Sequence, residues 1–228
     1  MTTIPDSVRD SSALFSGMTE SEIESCLTCS GAKVISYQKD ELVFHQADVP
    51  SELLLLVDGD IVIGNDSPDG RRNIMNTIST PGELFGEVFL FIGNREYDYY
   101  AQARTDARVL HMPRNFLYHT CGEGCSHHSK LISNMMSILA GKAYALNRRL
   151  QVLSCSTLRA KIAKTLLLNS GKNGRLDLNM NREELAGYLN TTRPSLSREL
   201  MKMQDEGLID AGRKTIVIKD RQSLSDLI

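Results

Sequence analysis

The sequence predicts an α+β chain of three successive parts: a β jelly roll or sandwich, one long helix, and a winged helix-turn-helix. Three observations carry this prediction. Short apolar runs recur at roughly ten-residue spacing from Ala32 to about Pro113, separated by turn-rich segments, as in a pair of packed β sheets. Residues 126–153 hold few helix breakers and repeat apolar side chains at alternating steps of four and three. Residues 181–208 place two helix-cap signals around a tight turn. The corresponding divisions are 1–125, 126–153 and 154–228.

The last part carries the most chemistry. Asn181-Arg182-Glu183-Glu184 has the form of a capping box, a short polar side chain with Glu three residues later. Leu185 and Leu189 follow as an apolar stripe, and Ala186 and Gly187 are small, as close packing on a second helix demands. Asn190-Thr191-Thr192 reads as a turn ending in a second cap, Thr192. Pro194 falls in a first helical turn, where its missing N–H costs nothing. Leu196, Leu200 and Met203 then face inward. Pro194, Ser195, Arg198 and Lys202 lie opposite, with Ser197 on the flank. An exposed helix of Ser, Arg and Lys beside a tight turn suits a DNA major groove, because Arg forks onto guanine O6 and N7 while Ser, Thr and Lys reach phosphates or base edges. Thr192, Arg193, Pro194, Ser195, Ser197, Arg198 and Lys202 are therefore the candidate DNA contacts. An ordinary helical hairpin would share the charge but not the caps, the turn and the inward stripe together. After Gly207-Leu208-Ile209, Gly212-Arg213-Lys214 precedes the strand-like Ile216-Val217-Ile218, a wing whose Arg213 and Lys214 are placed to touch phosphate.

Charge supports this placement. The net charge of −2 hides an asymmetry: residues 154–228 hold 13 Lys/Arg against 9 Asp/Glu, leaving 13 against 19 before them. An acidic body with a basic end fits double-stranded DNA bound at that end. No run approaches a membrane span of about 18 apolar residues, and Met1–Asp10 is polar and acidic, so the expectation is a cytoplasmic protein without membrane contact.

In the long helix, Ile132, Met136, Leu139, Ala143, Leu146, Leu150 and Leu153 form a heptad seam. Such a stripe could pack on its own domain. Its length, and its place between a β domain and a helix-turn-helix, favour a homodimer. Two-fold symmetry would set two recognition helices about one DNA turn apart, on an inverted-repeat operator.

Upstream, Thr19 caps a short helix with Glu22 three residues on, and Cys26 and Cys29 lie on it. The expected strands are Lys33–Tyr37, Leu42–Phe44, Leu53–Val57, Ile61–Ile63, the Met75–Ile78 stretch, Tyr99–Ala103 and Arg108–Met112. Asp58-Gly59-Asp60 between two apolar runs reads as a hairpin turn, and Asn65–Gly70 as a second turn-rich loop. Pro81-Gly82-Glu83-Leu84-Phe85-Gly86-Glu87 sits among them. Its two glycines around an apolar pair, opening a helix, can bring backbone N–H groups close to a small ligand, although a plain tight turn has the same look.

In this order the chain resembles the cyclic-AMP receptor/FNR family of bacterial transcription regulators along nearly its whole length. The carrying segments are Pro81–Glu87, the helix 126–153, and Asn181–Leu189 with Arg193–Leu200. The resemblance implies a cyclic-nucleotide-binding-like jelly roll, a dimer helix and a winged helix, with Arg193 and Arg198 contacting phosphate and bases. The Glu usual between those arginines is replaced here by Pro194 and Ser195, which leaves room for a different operator. Cyclic-nucleotide-binding members bind the cyclic phosphate with an Arg-Ser pair about ten residues after the Gly-Glu. Tyr97-Asp98 stand there in this chain. A carboxylate repels a phosphate and the Arg fork is gone, so tight cyclic-AMP or cyclic-GMP binding is not expected. Gly82, Glu83, Leu84, Phe85, Gly86, Glu87, Tyr97 and Asp98 remain the candidate lining for another small-molecule effector, or for none. RNA polymerase is an expected further partner.

Five cysteines without a secretory context argue against a disulfide framework. FNR-like members hold an iron–sulfur cluster with cysteines. Cys26, Cys29, Cys121 and Cys125 would supply four thiolates here, but a third early cysteine is missing. His127-His128 could serve haem, although a solvated or capping role is commoner. The expectation is no resident cofactor and no metal, with iron–sulfur, haem or thiol-redox control as alternatives. An oxygenase-type enzyme is disfavoured: only His45 and His111 lie in the strand region and no His-x-His occurs, so no catalytic residues are assigned.

Overall fold

In a computed structural model the described residues are 4–66, 72–92, 95–118, 126–171, 173–178, 180–212 and 215–228. The chain forms two compact units, Met1–Ala140 and Gly141–Ile228, and the division falls inside the long helix.

The first unit runs α1 (Asp6–Ser11), α2 (Glu20–Ser30), β1 (Lys33–Tyr37), β2 (Leu42–Phe44), β3 (Glu52–Asp58), β4 (Ile61–Asp66), β5 (Arg72–Ile78), β6 (Leu84–Phe85), α3 (Glu87–Phe91), β7 (Tyr100–Ala103), β8 (Ala107–Pro113), α4 (Asn115–Tyr118) and the start of α5 (Ser126–Leu153). Two antiparallel sheets, ordered β1-β8-β3-β6 and β2-β7-β4-β5, face each other. The continuous apolar run of β3 follows from burial on both faces. Leu54 and Leu56 enter the core between the sheets with Ile61, Ile63, Ala101 and Val109. Leu53, Leu55 and Val57 point the other way, into a core closed by Val8, Leu14, Ile23, Leu27, Leu131 and Met135 from the helical segments. Thr19 and Glu22 make the expected capping box at the start of α2.

The hairpin expected at Asp58-Gly59-Asp60 does not form. β3 pairs with β8 and β6, whereas β4 pairs with β5 and β7, so the chain here crosses from one sheet to the other. Both edges of β3 are taken, by β8 and β6, which leaves none for the next strand. Gly59 makes the crossing possible: its φ is +86°, and a Cβ there would lie 2.4 Å from the Asp106 carbonyl oxygen. The β4–β5 pair does form, but residues 67–70 of its loop lie outside the described residues.

The second unit holds the rest of α5, then α6 (Leu158–Asn169), β9 (Arg175–Asp177), α7 (Arg182–Tyr188), α8 (Arg193–Asp205), β10 (Ile209–Ala211), β11 (Thr215–Ile218) and α9 (Arg221–Ser225). The strands form a small antiparallel sheet ordered β10-β11-β9. One core joins Val152, Ile162, Leu166, Leu185, Leu189, Leu196, Leu200, Met203 and Ile216. Ala186 is buried at 1% exposure, as close packing requires. Gly187 is not part of that contact. It is exposed, and a Cβ there would meet nothing within 4 Å. No helix among the described residues is long and apolar enough to cross a membrane.

Candidate functional site

Two helices and the turn between them present one polar face. Asn181 accepts from the backbone N–H groups of Glu183 and Glu184 at 2.9 and 3.0 Å, and Glu184 accepts from the Asn181 N–H, completing the capping box of α7. Asn190 takes the left-handed conformation, φ +52°, and turns the chain into α8. Thr192 caps α8 by accepting from the Ser195 N–H at 3.4 Å, and Pro194 occupies the first turn.

On α8, Leu196, Leu200 and Met203 are buried, while Thr192, Arg193, Pro194, Arg198 and Lys202 are exposed, with Ser195 and Ser197 half-buried. Arg198 donates from Nε to the Pro194 carbonyl at 3.3 Å, which lays its fork along the helix surface. Arg193 reaches Glu183 at 4.0 Å, an exposed pair that binds weakly and yields readily to phosphate. Arg182 donates from Nη2 to the Gly212 carbonyl at 2.6 Å and ties the start of α7 to the base of the wing. Arg213 and Lys214 themselves lie outside the described residues.

Sequence reasoning missed the group that holds α8 from behind. Arg159 of α6 donates to Glu199 at 2.6 Å and to both carboxylate oxygens of Glu206 at 2.7 and 2.9 Å. The partners are 40 and 47 positions away, so no local pattern announces them.

In the first unit, Leu84 and Phe85 pair with Leu55 and Leu54 and are buried, so they form the wall rather than the lining. Gly82 (φ +89°) is buried and Glu83 half-buried, and Gly86 (φ +73°) opens α3. Over Gly86 lies the ring of Tyr97: a Cβ on Gly86 would stand 3.2 Å from it and 3.3 Å from Phe44. Tyr97 stacks on Phe44 with ring centroids 3.7 Å apart, and Phe89 meets Tyr99 edge-on at 5.1 Å. Burial, reinforced by Glu87, pushes the Tyr97 hydroxyl far above its ordinary pKa and the Tyr99 hydroxyl up to about 12. Glu87 is buried at 3% exposure, whereas Asp98 is exposed. The structure therefore gathers Gly86, Glu87 and Tyr97, and leaves Asp98 at the surface.

Tyr97 also lines a cleft of about 270 Å³ with Phe44, Asp48, Glu52, Leu54 and His111. At its floor His111 bridges Glu52, at 2.7 Å from Nδ1, and the Tyr37 hydroxyl, at 2.9 Å from Nε2. This chain of polar groups was also invisible in the sequence, because its members come from β1, β3 and β8.

The seam of α5 is uneven. Met136, Leu146 and Leu150 are 67%, 67% and 62% exposed and Ala143 is exposed, while Ile132, Leu139 and Leu153 are half-buried. Beside it, Leu131 and Met135 are buried in the core of the first unit, and Ile138 and the seam residue Leu139 pack against that core.

Cys26 is fully buried in α2, Cys29 is exposed and Cys155 is half-buried. Cys121 and Cys125 lie outside the described residues. Among the described residues no group of three or more His, Cys, Asp or Glu is placed to hold a metal ion. His127 and His128 are buried, and His128 packs on Phe116 with ring centroids 4.4 Å apart. Among the described residues, His127 Nε2 and both ring nitrogens of His128 have no hydrogen-bond partner.

A winged helix-turn-helix with an exposed Arg/Ser/Lys face, carried in one chain with a jelly-roll unit and a long helix, defines a DNA-binding transcription regulator. The profile of the Crp-like helix-turn-helix domain matches residues 160–227, and that of the cyclic nucleotide-binding domain matches residues 34–123. The chain is 24% identical to a CRP-like cAMP-activated global transcriptional regulator of Mycobacterium tuberculosis, over 96% of this chain and 98% of that one. It is 25% identical to the cyclic AMP receptor protein of Thermus thermophilus, over 95% and 96%. Its fold matches the crystal structure of the Thermus thermophilus catabolite activator protein with a TM-score of 0.54, at 24% identity over 95% of this chain and 98% of that one. The chain belongs to the Crp/Fnr family of transcription regulators.

Burial pushes the Cys26 thiol up to about 12, with Cys29 adding a smaller contribution. With a thiol-specific reagent near neutral pH, exposed Cys29 is expected to react at least tenfold faster than Cys26, whose burial blocks access and disfavours its thiolate. Peptide mapping of partly labelled protein checks this. Equal labelling of the two would contradict the buried placement of Cys26.

Proposed function

We propose that the protein is a homodimeric, sequence-specific regulator of transcription that reads an inverted-repeat operator, and that the signal sensed by its β unit is not cyclic AMP. The observation that carries the first part is the exposed Arg193–Lys202 face of α8, fixed by two caps and a buried Leu196/Leu200/Met203 stripe. Homodimerisation is supported by Met136, Leu146 and Leu150, which expose an apolar stripe that a second copy of α5 would cover. The candidate DNA contacts are Thr192, Arg193, Pro194, Ser195, Ser197, Arg198 and Lys202. Paired recognition helices then face half-sites about 34 Å apart.

The two curated relatives are named for cyclic AMP. In this chain Tyr97 stands where the resemblance implies the phosphate-binding Arg, and its ring covers Gly86, whose backbone a cyclic phosphate would have to approach. A buried phenol supplies no positive charge, and Asp98 beside it adds a negative one. The cleft beside Tyr97 and His111 supports a different small ligand. The stacked aromatic packing supports a second reading, a β unit that holds no effector, with control by abundance or by oxidation of the exposed Cys29.

No resident cofactor is part of this reading. Cys26 is buried among apolar groups that disfavour its thiolate, which suits a core position better than a cluster ligand. His128 is packed on Phe116. The protein acts by binding rather than catalysis, in the cytoplasm, with RNA polymerase as a further partner.

Three measurements test the reading. Against a duplex selected from random sequence by the wild-type protein, Arg198→Ala is expected to lose roughly 1–3 kcal/mol of specific affinity; unchanged binding would remove α8 as the reading helix. Sedimentation of a Leu146→Glu/Leu150→Glu variant is expected to give a monomer where the wild type gives a dimer, and a wild-type monomer would end the dimer reading. Titration calorimetry with cyclic AMP is expected to show no micromolar binding, and a micromolar isotherm would overturn the claim about the signal.

A further inference from the structure

α8 carries acidic as well as basic side chains, and their arrangement matters to a surface that meets phosphates. Glu199 and Glu206, the latter the residue that caps the C-terminal end of α8, are seven residues apart, so at 3.6 residues per turn they fall on one side of the helix. Lys202 stands between them, three residues after one and four before the other, which is the spacing at which side chains on a helix meet. Lys202 is exposed and makes no ion pair among the described residues. Of its three acidic neighbours, Asp205 is exposed and makes no ion pair with it among the described residues, and Glu199 and Glu206 are drawn away from it. Arg159 takes one oxygen of Glu199 and both of Glu206, with side-chain exposures of 27% for the arginine, 20% for Glu199 and 48% for Glu206. The arginine lies in the first turn of α6, whose start is fixed by the Thr157 cap, so its guanidinium projects from a rigid base.

We propose that Arg159 is a positioning residue for DNA binding: by clamping Glu199 and Glu206 against α6, it keeps both carboxylates off the DNA-facing side of α8 and leaves the Lys202 ammonium free for phosphate. The clamp acts through charge. Without it, Glu199 and Glu206 have Lys202 as their nearest helical cation, and the Glu199–Lys202 pair has the carboxylate on the N-terminal side, the favoured order on a helix. A lysine so paired releases fewer counterions from DNA, and two freed carboxylates repel the backbone. Arg159 already dominates the Glu206 carboxyl and holds it below the usual carboxylate range, with Lys202 a smaller contributor from the same helix. The proposal rests on α8 being the DNA-reading helix, which the Arg198→Ala measurement tests separately.

The test compares four full-length proteins on the selected duplex across a salt series: wild type, Arg159→Ala, Glu199→Gln/Glu206→Gln, and the triple variant combining all three changes. Arg159→Ala is expected to bind roughly three- to tenfold more weakly, with a log–log salt slope smaller by about one, as loss of one phosphate contact requires. The triple variant lacks the clamp just as completely, but it has no carboxylate to compete for Lys202, so it is expected to return to within about twofold of wild type. The two glutamine changes are expected to matter less when Arg159 is present than when it is absent. A purely structural role for Arg159 would leave the triple variant as weak as Arg159→Ala. Direct phosphate contact by Arg159 would do the same. Either result overturns the proposal, as does wild-type binding by Arg159→Ala or an equal effect of the glutamine pair in both backgrounds. Circular dichroism confirms that each variant is folded. If Arg159→Ala does not fold, Arg159→Lys replaces it, since a lysine keeps the charge but loses the fork that spans both carboxylates. Its smaller loss is then expected to be rescued by Glu206→Gln, and failure of that rescue counts against the clamp.

Discussion

The first unit depends on one strand being wet on neither side. β3 places Leu54 and Leu56 in the core between the sheets and Leu53, Leu55 and Val57 in the core beneath the helices. At roughly 25 cal/mol per Å² of apolar area removed from water, five such side chains contribute more than any polar group in the unit. The same strand pairs with β6, whose Leu84 and Phe85 lead into Gly86 and α3. The candidate sensor segment is thus attached directly to the best-buried strand, and its backbone inherits that strand's rigidity.

Against this rigid wall the interior is filled from the other side. Phe44, Phe89, Tyr97 and Tyr99 stack and tilt against one another, and Tyr97 takes the space over Gly86. Aromatic packing of this kind does with protein side chains what a bound ligand does elsewhere, namely excludes water from a concave surface. The polar chain Glu52–His111–Tyr37 runs along the adjoining cleft, and burial with Glu52 and Glu41 nearby pushes the Tyr37 hydroxyl up to about 12. Tyr37 is therefore a neutral hydrogen-bonding group through the physiological range.

Much of this was legible in the sequence, for identifiable reasons. Caps are local, so the boxes at Thr19 and Asn181 and the cap at Thr192 were readable from three or four residues each. The helix at residues 126–153 was readable because a repeat of four and three steps survives without any knowledge of what covers it. The hairpin at Asp58–Asp60 misled because a turn signal says that the chain reverses, not which sheet it joins. Gly187 misled because smallness beside Ala186 does not say which of the two faces the core. The Arg159 clamp and the His111 chain were out of reach because each joins residues tens of positions apart, and only the packed fold brings them together.

The basic side chains along the second half of α5 are already engaged within their own unit. Arg148 donates to the Leu168 carbonyl and lies over the Tyr144 ring, and Arg149 lies 5.6 Å over the ring of Tyr188. Coiled-coil helices ordinarily choose their companions through charged residues flanking the apolar seam. In the homodimer proposed above Arg149 is the flanking residue so committed, and pairing along this stretch leans on the shape of Ala143, Leu146 and Leu150. Steric fit discriminates poorly between similar leucine patterns and is insensitive to ionic strength. Fidelity toward its own kind in the proposed homodimer would then be set more by concentration than by charge recognition.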